Sequence, residues 1–441
     1  MRSTLNLFGL PAERLEKQFP DAKPKLSESE AIIEANRCLY CYDAPCIEAC
    51  PTDIDIPSFI KKISTNNLLG SAKTILSANA LGCSCGKVCS VEVLCVGACV
   101  LNKLNKSPIQ IGKLQYFATE KIVLNSNFKD NNIFPITRSS DKKVALIGAG
   151  PASLSCAFYL AINGVRAVIF EKSDIPGGLN TAGIAPYKLQ SEDALKEINW
   201  IIQHAIDLQT GVEIGKKITF DKLQKEYDAV FVGVGMGQDI DLNIHDNCSS
   251  LVLGATELIE KIKNSDNFKL PKNVNDVIVI GGGNTAIDIS RELAMLGVQN
   301  VKIVYRRTEQ EMKGFAHELA GAREFGVRLV ENTKPIEIIK SGTQKLKLRA
   351  SSTIDNGSTE FLCDWVVMAI GQKKNIKQLI PELKLDDTDC PIVNPLTQKT
   401  NLQDVYAGGD CVNGGKEVVN AVADGKNAAF AMLKSWGLSN K

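Results

Sequence analysis

The sequence predicts a mostly α-helical domain followed by two α/β domains of the doubly wound, Rossmann-like kind. Three observations predict it. Nine of the 14 cysteines fall between Cys38 and Cys99, in segments whose apolar residues recur at helical spacing. From Asp141 the texture changes to strand, glycine turn and helix. That unit occurs twice, as KKVALIGAGPASLSCAFYLAINGVRAVIFEK and NDVIVIGGGNTAIDISRELAMLGVQNVKIVYRR. Gly148 matches Gly281, Gly150 matches Gly283, Ser153 matches Ala286, and Glu171 matches Arg306. An internal repeat of a βαβ unit implies two nucleotide-binding domains.

At roughly 100–200 residues per domain, the 441 residues suggest two to four domains. A hydrophobic fraction of 44% and a charged fraction of 23% exclude disorder as the main state. Lys and Arg number 51 against 50 Asp and Glu, so no basic field is available to steer nucleic acid or an anionic membrane. Neither is expected as a partner. No apolar run is long enough to span a bilayer. The N-terminal stretch lacks the apolar core of a signal peptide. The expected location is cytoplasmic, where clustered cysteines serve metal binding or redox chemistry rather than disulfides.

Residues 1–125 form the predicted helical domain. KLSESEAIIEANRCLY opens a helix at Ser27 or Ser29. IPSFIKKISTNNLLGSAKTILSANA reads as two short helices. Residues 126–140 are polar and aperiodic, a linker. Within the helical domain Cys38, Cys41, Cys46 and Cys50 are spaced C-x2-C-x4-C-x3-C and followed by Pro51; Cys85, Cys89, Cys95 and Cys99 form a second run. A last Cys followed by Pro is the ferredoxin pattern, in which that Cys ligates the other cluster of a pair. Soft thiolates select iron–sulfur clusters or zinc. None of the three histidines lies near this segment, which disfavours mixed Cys/His zinc sites. Zinc would also bring no redox chemistry. Cys156, Cys248, Cys363, Cys390 and Cys411 have no partner spacing and read as core or surface residues.

The first turn, Gly148-Ala149-Gly150-Pro151-Ala152-Ser153, is GxGxxS between an apolar strand and a helix. Its first glycine permits the tight turn, and the second lets the backbone approach a pyrophosphate at the helix N-terminus. Glu171 closes the next strand, where a carboxylate holds ribose hydroxyls. The second turn, Gly281 to Ala286, has the same surroundings, but its strand ends in Tyr305-Arg306-Arg307. A carboxylate there would repel a ribose 2′-phosphate, whereas guanidinium groups bind one, so this site is expected to favour NADP(H) over NAD(H). The segment VYAGGDC, followed by a helix through Val418, supplies a further Gly-Asp turn. Such a turn meets the ribityl chain in flavin reductases of this layout, which makes the first turn the expected FAD site.

The strings RCLYCYDAPCIEACPTDIDIPSFI, CGKVCSVEVLCVGACV and SPIQIGKLQYFATE resemble the N-terminal region of dihydropyrimidine dehydrogenase and the bacterial PreT-type flavin subunits. The β-subunit of glutamate synthase shares the architecture. The resemblance covers nearly the whole chain. It implies a helical domain with two 4Fe–4S clusters over 1–125, and an FAD domain split into 141–257 and 372–441 by an inserted NAD(P)H domain over 258–371. It implies one cluster on Cys38, Cys41, Cys46 and Cys99, and another on Cys50, Cys89, Cys95 and Gln115. Cys85, which spacing alone makes a ligand, is then not one. Flavin contacts fall on Gly148, Ala149, Gly150, Pro151 and Ala152, on Glu171 to Leu179 with Gly178 among them, and on Gly409, Asp410 and Val418. Nicotinamide-nucleotide contacts fall on Gly282, Gly283, Asn284, Thr285, Arg306, Arg307 and Lys313. Ala369, Ile370 and Gly371 are shared. Lys188 stands where the family has arginine, and Lys313 where the animal enzyme has it.

The implied activity is that of an electron-input subunit, in which hydride from NADPH or NADH reaches FAD and single electrons leave through the two clusters. The recipient is an FMN- and iron–sulfur-containing partner of the PreA type, serving pyrimidine reduction. The rivals are a glutamate synthase small subunit and, in another class, a non-catalytic cofactor-binding assembly module. The residues single out no catalytic acid, base or nucleophile.

Overall fold

The computed structural model describes residues 7–124, 132–244, 249–342, 345–355 and 357–438. The first domain is helical: α1 (Glu28–Asn36), α2 (Pro45–Glu48), α3 (Ile56–Ser64), α4 (Leu68–Ala78), α5 (Gly82–Val88), α6 (Val100–Lys103) and α7 (Ile111–Val123). Ser27 caps α1 in a capping box, its Oγ accepting from Glu30 N at 3.3 Å while Glu30 Oε2 accepts from Ser27 N at 2.8 Å. Ile56, Phe59, Ile60 and Ile63 recur at three- and four-residue spacing on α3. They bury one face against Ile75 of α4 and Leu114 and Phe117 of α7. Cys50 and Cys95 belong to this core, and Cys38, Cys46 and Cys99 pack against it.

The second part is built on two five-stranded sheets. The first contains β1 (Lys143–Ile147), β2 (Arg166–Phe170), β3 (Asp207–Gln209), β4 (Ala229–Val232) and β13 (Val405–Ala407), ordered β13-β4-β1-β2-β3 and parallel throughout. The second contains β5 (Val252–Gly254), β6 (Asp276–Ile280), β7 (Asn300–Val304), β8 (Arg328–Val330) and β12 (Trp365–Met368), ordered β5-β12-β6-β7-β8 and also parallel. The antiparallel strands β9 (Thr333–Lys340), β10 (Leu346–Ser352) and β11 (Ser358–Cys363) form a third sheet between β8 and β12 in sequence. The helix Pro151–Ile162 joins β1 to β2, and the C-terminal helix Val418–Ser435 packs on it. The approach is close enough that a Cβ on Gly425 would stand 2.0 Å from the Ala152 carbonyl oxygen.

Three features differ from the sequence reading. Strand β5 precedes residue 258 yet already pairs with β12; three residues without a glycine turn carry too little pattern to mark a sheet strand. The predicted linker is anchored where it is described. Phe134 stands edge-on to Phe158 at 5.5 Å and to Trp200 at 6.5 Å. Finally, the segment ahead of α1 packs on the α/β part: Phe19 joins the core of the second sheet, and Ala22 N donates to Tyr187 O at 2.8 Å. Among the described residues no helix is long and apolar enough to cross a membrane. Cys156, Cys363, Cys390 and Cys411 are buried; Cys248 lies outside the described residues.

Candidate redox site

Cys38, Cys41, Cys46 and Cys99 line one small cavity walled by Ile56, Ile60, Leu101 and Ile111. The loop before α2 supplies Cys38 and Cys41, α2 itself supplies Cys46, and the N-terminal end of α6 supplies Cys99. Burial raises the Cys38 thiol, and burial with neighbouring thiols raises Cys46 to about 12. Cys50, Cys89 and Cys95 form a second, more buried group. Burial pushes Cys95 up, and the nearby Cys89 and Cys50 add to the shift. Cys89 is raised first by its hydrogen bond with Cys85 and then by burial. Gln115 of α7 is 7% exposed, and its Nε2 donates to Gly82 O at 2.7 Å, which leaves Oε1 for another partner.

This donor set fits iron–sulfur clusters. A thiol gives up its proton readily to a metal centre whose positive charge replaces the lost hydration. Among the described residues no three Cys, His, Asp or Glu side chains converge as a single metal ion requires. Zinc holds its sulfurs at about 2.3 Å from one point. Four thiolates spread around a cavity suit a cluster in which each meets its own iron.

A continuous cleft of about 1470 Å³ opens beyond the C-terminal edge of the first sheet, the usual ligand position in such folds. Its walls include Gly148, Ala149, Gly150, Pro151, Ala152, Glu171, Gly178, Leu179, Lys188, Gly409, Asp410 and Val418. At Gly148, with φ +91°, a Cβ would lie 2.6 Å from Gly233 O, whereas at Gly150 it would meet nothing within 4 Å. Gly150 therefore leaves the backbone open to a ligand where the helix Pro151–Ile162 begins without a side-chain cap, a ready anion site. Glu171 Oε2 accepts from Ala149 N at 2.7 Å and Oε1 from Ser173 N at 2.8 Å. It braces the glycine turn and keeps lone pairs for hydroxyl donors. Burial raises the carboxyl of Asp410.

The same cleft reaches Asn284 and Thr285 of the second turn. At Gly281 a Cβ would stand 2.2 Å from Ala369 O, at Gly282 it would enter the Tyr305 ring, and at Gly283 it would meet nothing within 4 Å. The chain after β7 folds back over this turn through Gly314 N to Gly282 O at 3.0 Å and Phe315 N to Asn284 Oδ1 at 2.9 Å. That loop carries Arg306, Arg307 and Lys313, all exposed. Gly282, Gly283, the three cations and Ala369, Ile370 and Gly371 lie outside the cleft wall. The last three sit between Met368 and Gln372, which do line it.

The sequence reading misses the ties between these parts. Lys188 Nζ lies 2.7 Å from Asp288 Oδ1 and 2.8 Å from Glu318 Oε1, and Tyr187 Oη donates to the same Asp288 oxygen at 2.7 Å. Lys188 thus joins the two α/β parts as well as facing the cleft. Burial opposes its charge, but the two carboxylates outweigh it and its pKa is raised. Fully buried Lys263 donates to Ile184 O at 2.8 Å and Leu189 O at 2.7 Å, and Glu16 from the N-terminal segment lies 3.7 Å away. Burial lowers Lys263 to about 8. Glu197 accepts from Cys83 N at 2.9 Å and Ser84 N at 3.1 Å, holding the start of α5. Such long-range pairs leave no local pattern. Val88 and Ser90 also line the cleft, and they flank Cys89.

Residues 15–126 match the family described as dihydropyrimidine dehydrogenase domain II, 4Fe-4S cluster, and residues 142–425 match the pyridine nucleotide-disulphide oxidoreductases. The NAD-dependent dihydropyrimidine dehydrogenase subunit PreT of Escherichia coli O157:H7 is 33% identical, over 93% of this chain and 95% of that protein. The glutamate synthase [NADPH] small chain of Halomonas elongata is 31% identical, over 96% of this chain and 94% of that protein. Among solved structures, T. acidophilum thioredoxin reductase superposes with a TM-score of 0.55 at 21% identity, covering 68% of this chain and all of that one, a likeness of fold. The glycine turns, the shared cleft and these matches agree: the chain belongs to the pyridine nucleotide-disulphide oxidoreductase family, carries an N-terminal 4Fe-4S domain of the dihydropyrimidine dehydrogenase type, and is an NAD(P)H-dependent flavin oxidoreductase.

Proposed function

We propose that this protein is the electron-input subunit of a cytoplasmic two-component reductase. It would take hydride from NADPH and deliver electrons to an FMN- and iron–sulfur-containing partner that reduces a pyrimidine. The observation that carries this reading is the single cleft. It touches both glycine turns, and through Val88 and Ser90 it touches the segment holding Cys89. Bound there, FAD would accept the hydride and release electrons singly to two 4Fe–4S clusters, chemistry that belongs to the cofactors.

The chain's own part is to bind, orient and exclude water. Gly150 and the helix behind it receive the pyrophosphate, and Glu171 and Asp410 offer acceptors to ribose and ribityl hydroxyls. Ile147, Ile175, Leu179 and Ile184 supply apolar cleft wall. Lys188 holds the nicotinamide-binding part, inserted between the halves of the FAD domain, against the flavin side. Arg306 receives the 2′-phosphate, with Arg307 and Lys313 beside it. Cys38, Cys41, Cys46 and Cys99 hold the outer cluster, and Cys50, Cys89, Cys95 and Gln115 the inner one.

The names of the relatives leave two partners to weigh: a dihydropyrimidine dehydrogenase subunit and a glutamate synthase chain. The pyrimidine reading is favoured by the match of residues 15–126 to the dihydropyrimidine dehydrogenase domain. Anaerobically purified protein should contain flavin and about eight irons and eight sulfides per chain, the stoichiometry of two cubanes. Cys46→Ser should lose a cluster, whereas Cys85→Ser should keep both. Zinc without acid-labile sulfide, or equal iron loss in the two variants, would refute the ligand assignment.

A further inference from the structure

The inner ligand group has a cationic neighbour that cysteine spacing does not bring up. Val418 and Ala421, in the first turn of the helix Val418–Ser435, line the cleft. Lys426 lies eight residues beyond Val418 on this helix, about 12 Å along the axis at 1.5 Å per residue. Its Nζ donates to the Thr52 carbonyl at 2.7 Å. Thr52 is fully buried, and its Oγ1 stands 3.3 Å from Cys50 Sγ. A ligating thiolate has no proton, so in that state the hydroxyl is the donor. One lysine from the flavin side therefore fixes the residue that hydrogen-bonds a candidate cluster ligand, and brings a positive charge to it. Burial lowers the Lys426 pKa, while Asp53 and the Cys50 thiolate pull it back. Around the outer group, the charges that act on Cys38 and Cys46 are those of other thiols.

Adding an electron to a cluster adds negative charge. A cation and a hydrogen bond to the sulfur favour that more negative state, and net charge and sulfur hydrogen bonds are levers on cluster potential. We infer that Lys426 is a positioning residue which, through Thr52 and its own charge, raises the reduction potential of the cluster held by Cys50 so that it accepts electrons from the cleft side. This rests on the reading of Cys50, Cys89, Cys95 and Gln115 as cluster ligands.

The test is an anaerobic redox titration of the full-length protein followed by electron paramagnetic resonance. The outer signal is assigned by its loss in Cys46→Ser. In Lys426→Met the oxidised-to-reduced ratio of the inner cluster at fixed potential should rise at least about tenfold, which is about 59 mV for one electron. Thr52→Val should move it the same way. Lys426→Arg, which keeps the charge, should stay near wild type, and the outer cluster should not move. An unchanged inner potential in Lys426→Met, equal shifts of both clusters, or loss of inner-cluster iron from either Lys426 variant would overturn the inference. Wild-type iron and sulfide content is read separately. Absence of the inner cluster there would refute the ligand assignment, whereas its presence with an unmoved potential refutes only the role of Lys426.

Discussion

Arg306 stands just past β7, exposed beside a glycine turn whose backbone is open at Gly283. A guanidinium paired with a 2′-phosphate forms charge-assisted hydrogen bonds worth roughly 1.5–3 kcal/mol. That corresponds to about 10- to 150-fold in affinity at 1.4 kcal/mol per decade. The expected outcome is a preference for NADPH within that range in kcat/KM, lost in Arg306→Ala with little change toward NADH. Steady-state kinetics with both nucleotides decides it: an NADH preference in wild type, or equal weakening of both, would remove the phosphate-binding role. The relatives' names divide here between NAD-dependent and NADPH, so the side chains of this chain must answer. Their exposure suits a charged ligand that arrives from solvent, and loop closure through Gly314 and Phe315 holds them near the turn.

At the scale of elements, α5 carries Cys85 and is followed directly by its capping residue Cys89, and its first turn depends on a carboxylate from another domain. Glu197, fully buried, holds two α5 backbone N–H groups, and burial raises its carboxyl to about 7 from the ordinary 4.5. The folded state then keeps this proton over a range where the unfolded chain has released it. Stability from this group is present below pH 4.5 and falls as pH rises toward about 7, by about 3 kcal/mol at 1.36 kcal/mol per unit. Glu197→Gln, which cannot ionise, should flatten the dependence of Tm on pH across that window; an unaltered slope would show that another group controls it. This tie also shows what the sequence can and cannot reveal. Ser27 as a cap, the α3 apolar face and both glycine turns are legible because each is a local pattern. Gathering of Cys38, Cys41, Cys46 and Cys99 around one cavity agrees with the family resemblance, whereas spacing alone puts Cys50 with the first three. Glu197, Glu16 with Lys263, and Lys188 with Asp288 and Glu318 are not legible. Their partners lie far away in sequence, and charged residues in amphipathic helices read as solvated. Strand β5 is missed because three residues hold too little periodicity.

For the whole molecule, the decisive arrangement is the cleft that the two α/β parts share. It touches the second glycine turn and the segment around Cys89, whereas Cys38, Cys41, Cys46 and Cys99 line a separate small cavity and are partly exposed. Under the proposed function this cleft serves the two nucleotides, and the pyrimidine is reduced on the partner subunit. The chain should therefore complete half of a reaction. With NADPH it should reduce an artificial one- or two-electron acceptor in repeated turnovers. With uracil or thymine it should oxidise no more NADPH than its own flavin and clusters can store. Adding an FMN-containing partner should convert that single burst into steady turnover. Lys188→Met gives an internal control. Its loss removes the ion pairs to Asp288 and Glu318 that tie the second α/β part to the first, so on the proposed function flavin reduction by NADPH should slow while electron release from pre-reduced protein to the artificial acceptor stays unchanged. Stopped-flow absorbance separates the two steps. Sustained uracil reduction by the rigorously purified chain would overturn the division of labour. Equal slowing of both steps in Lys188→Met would mean that the lysine supports the fold as a whole rather than the junction between its two α/β parts.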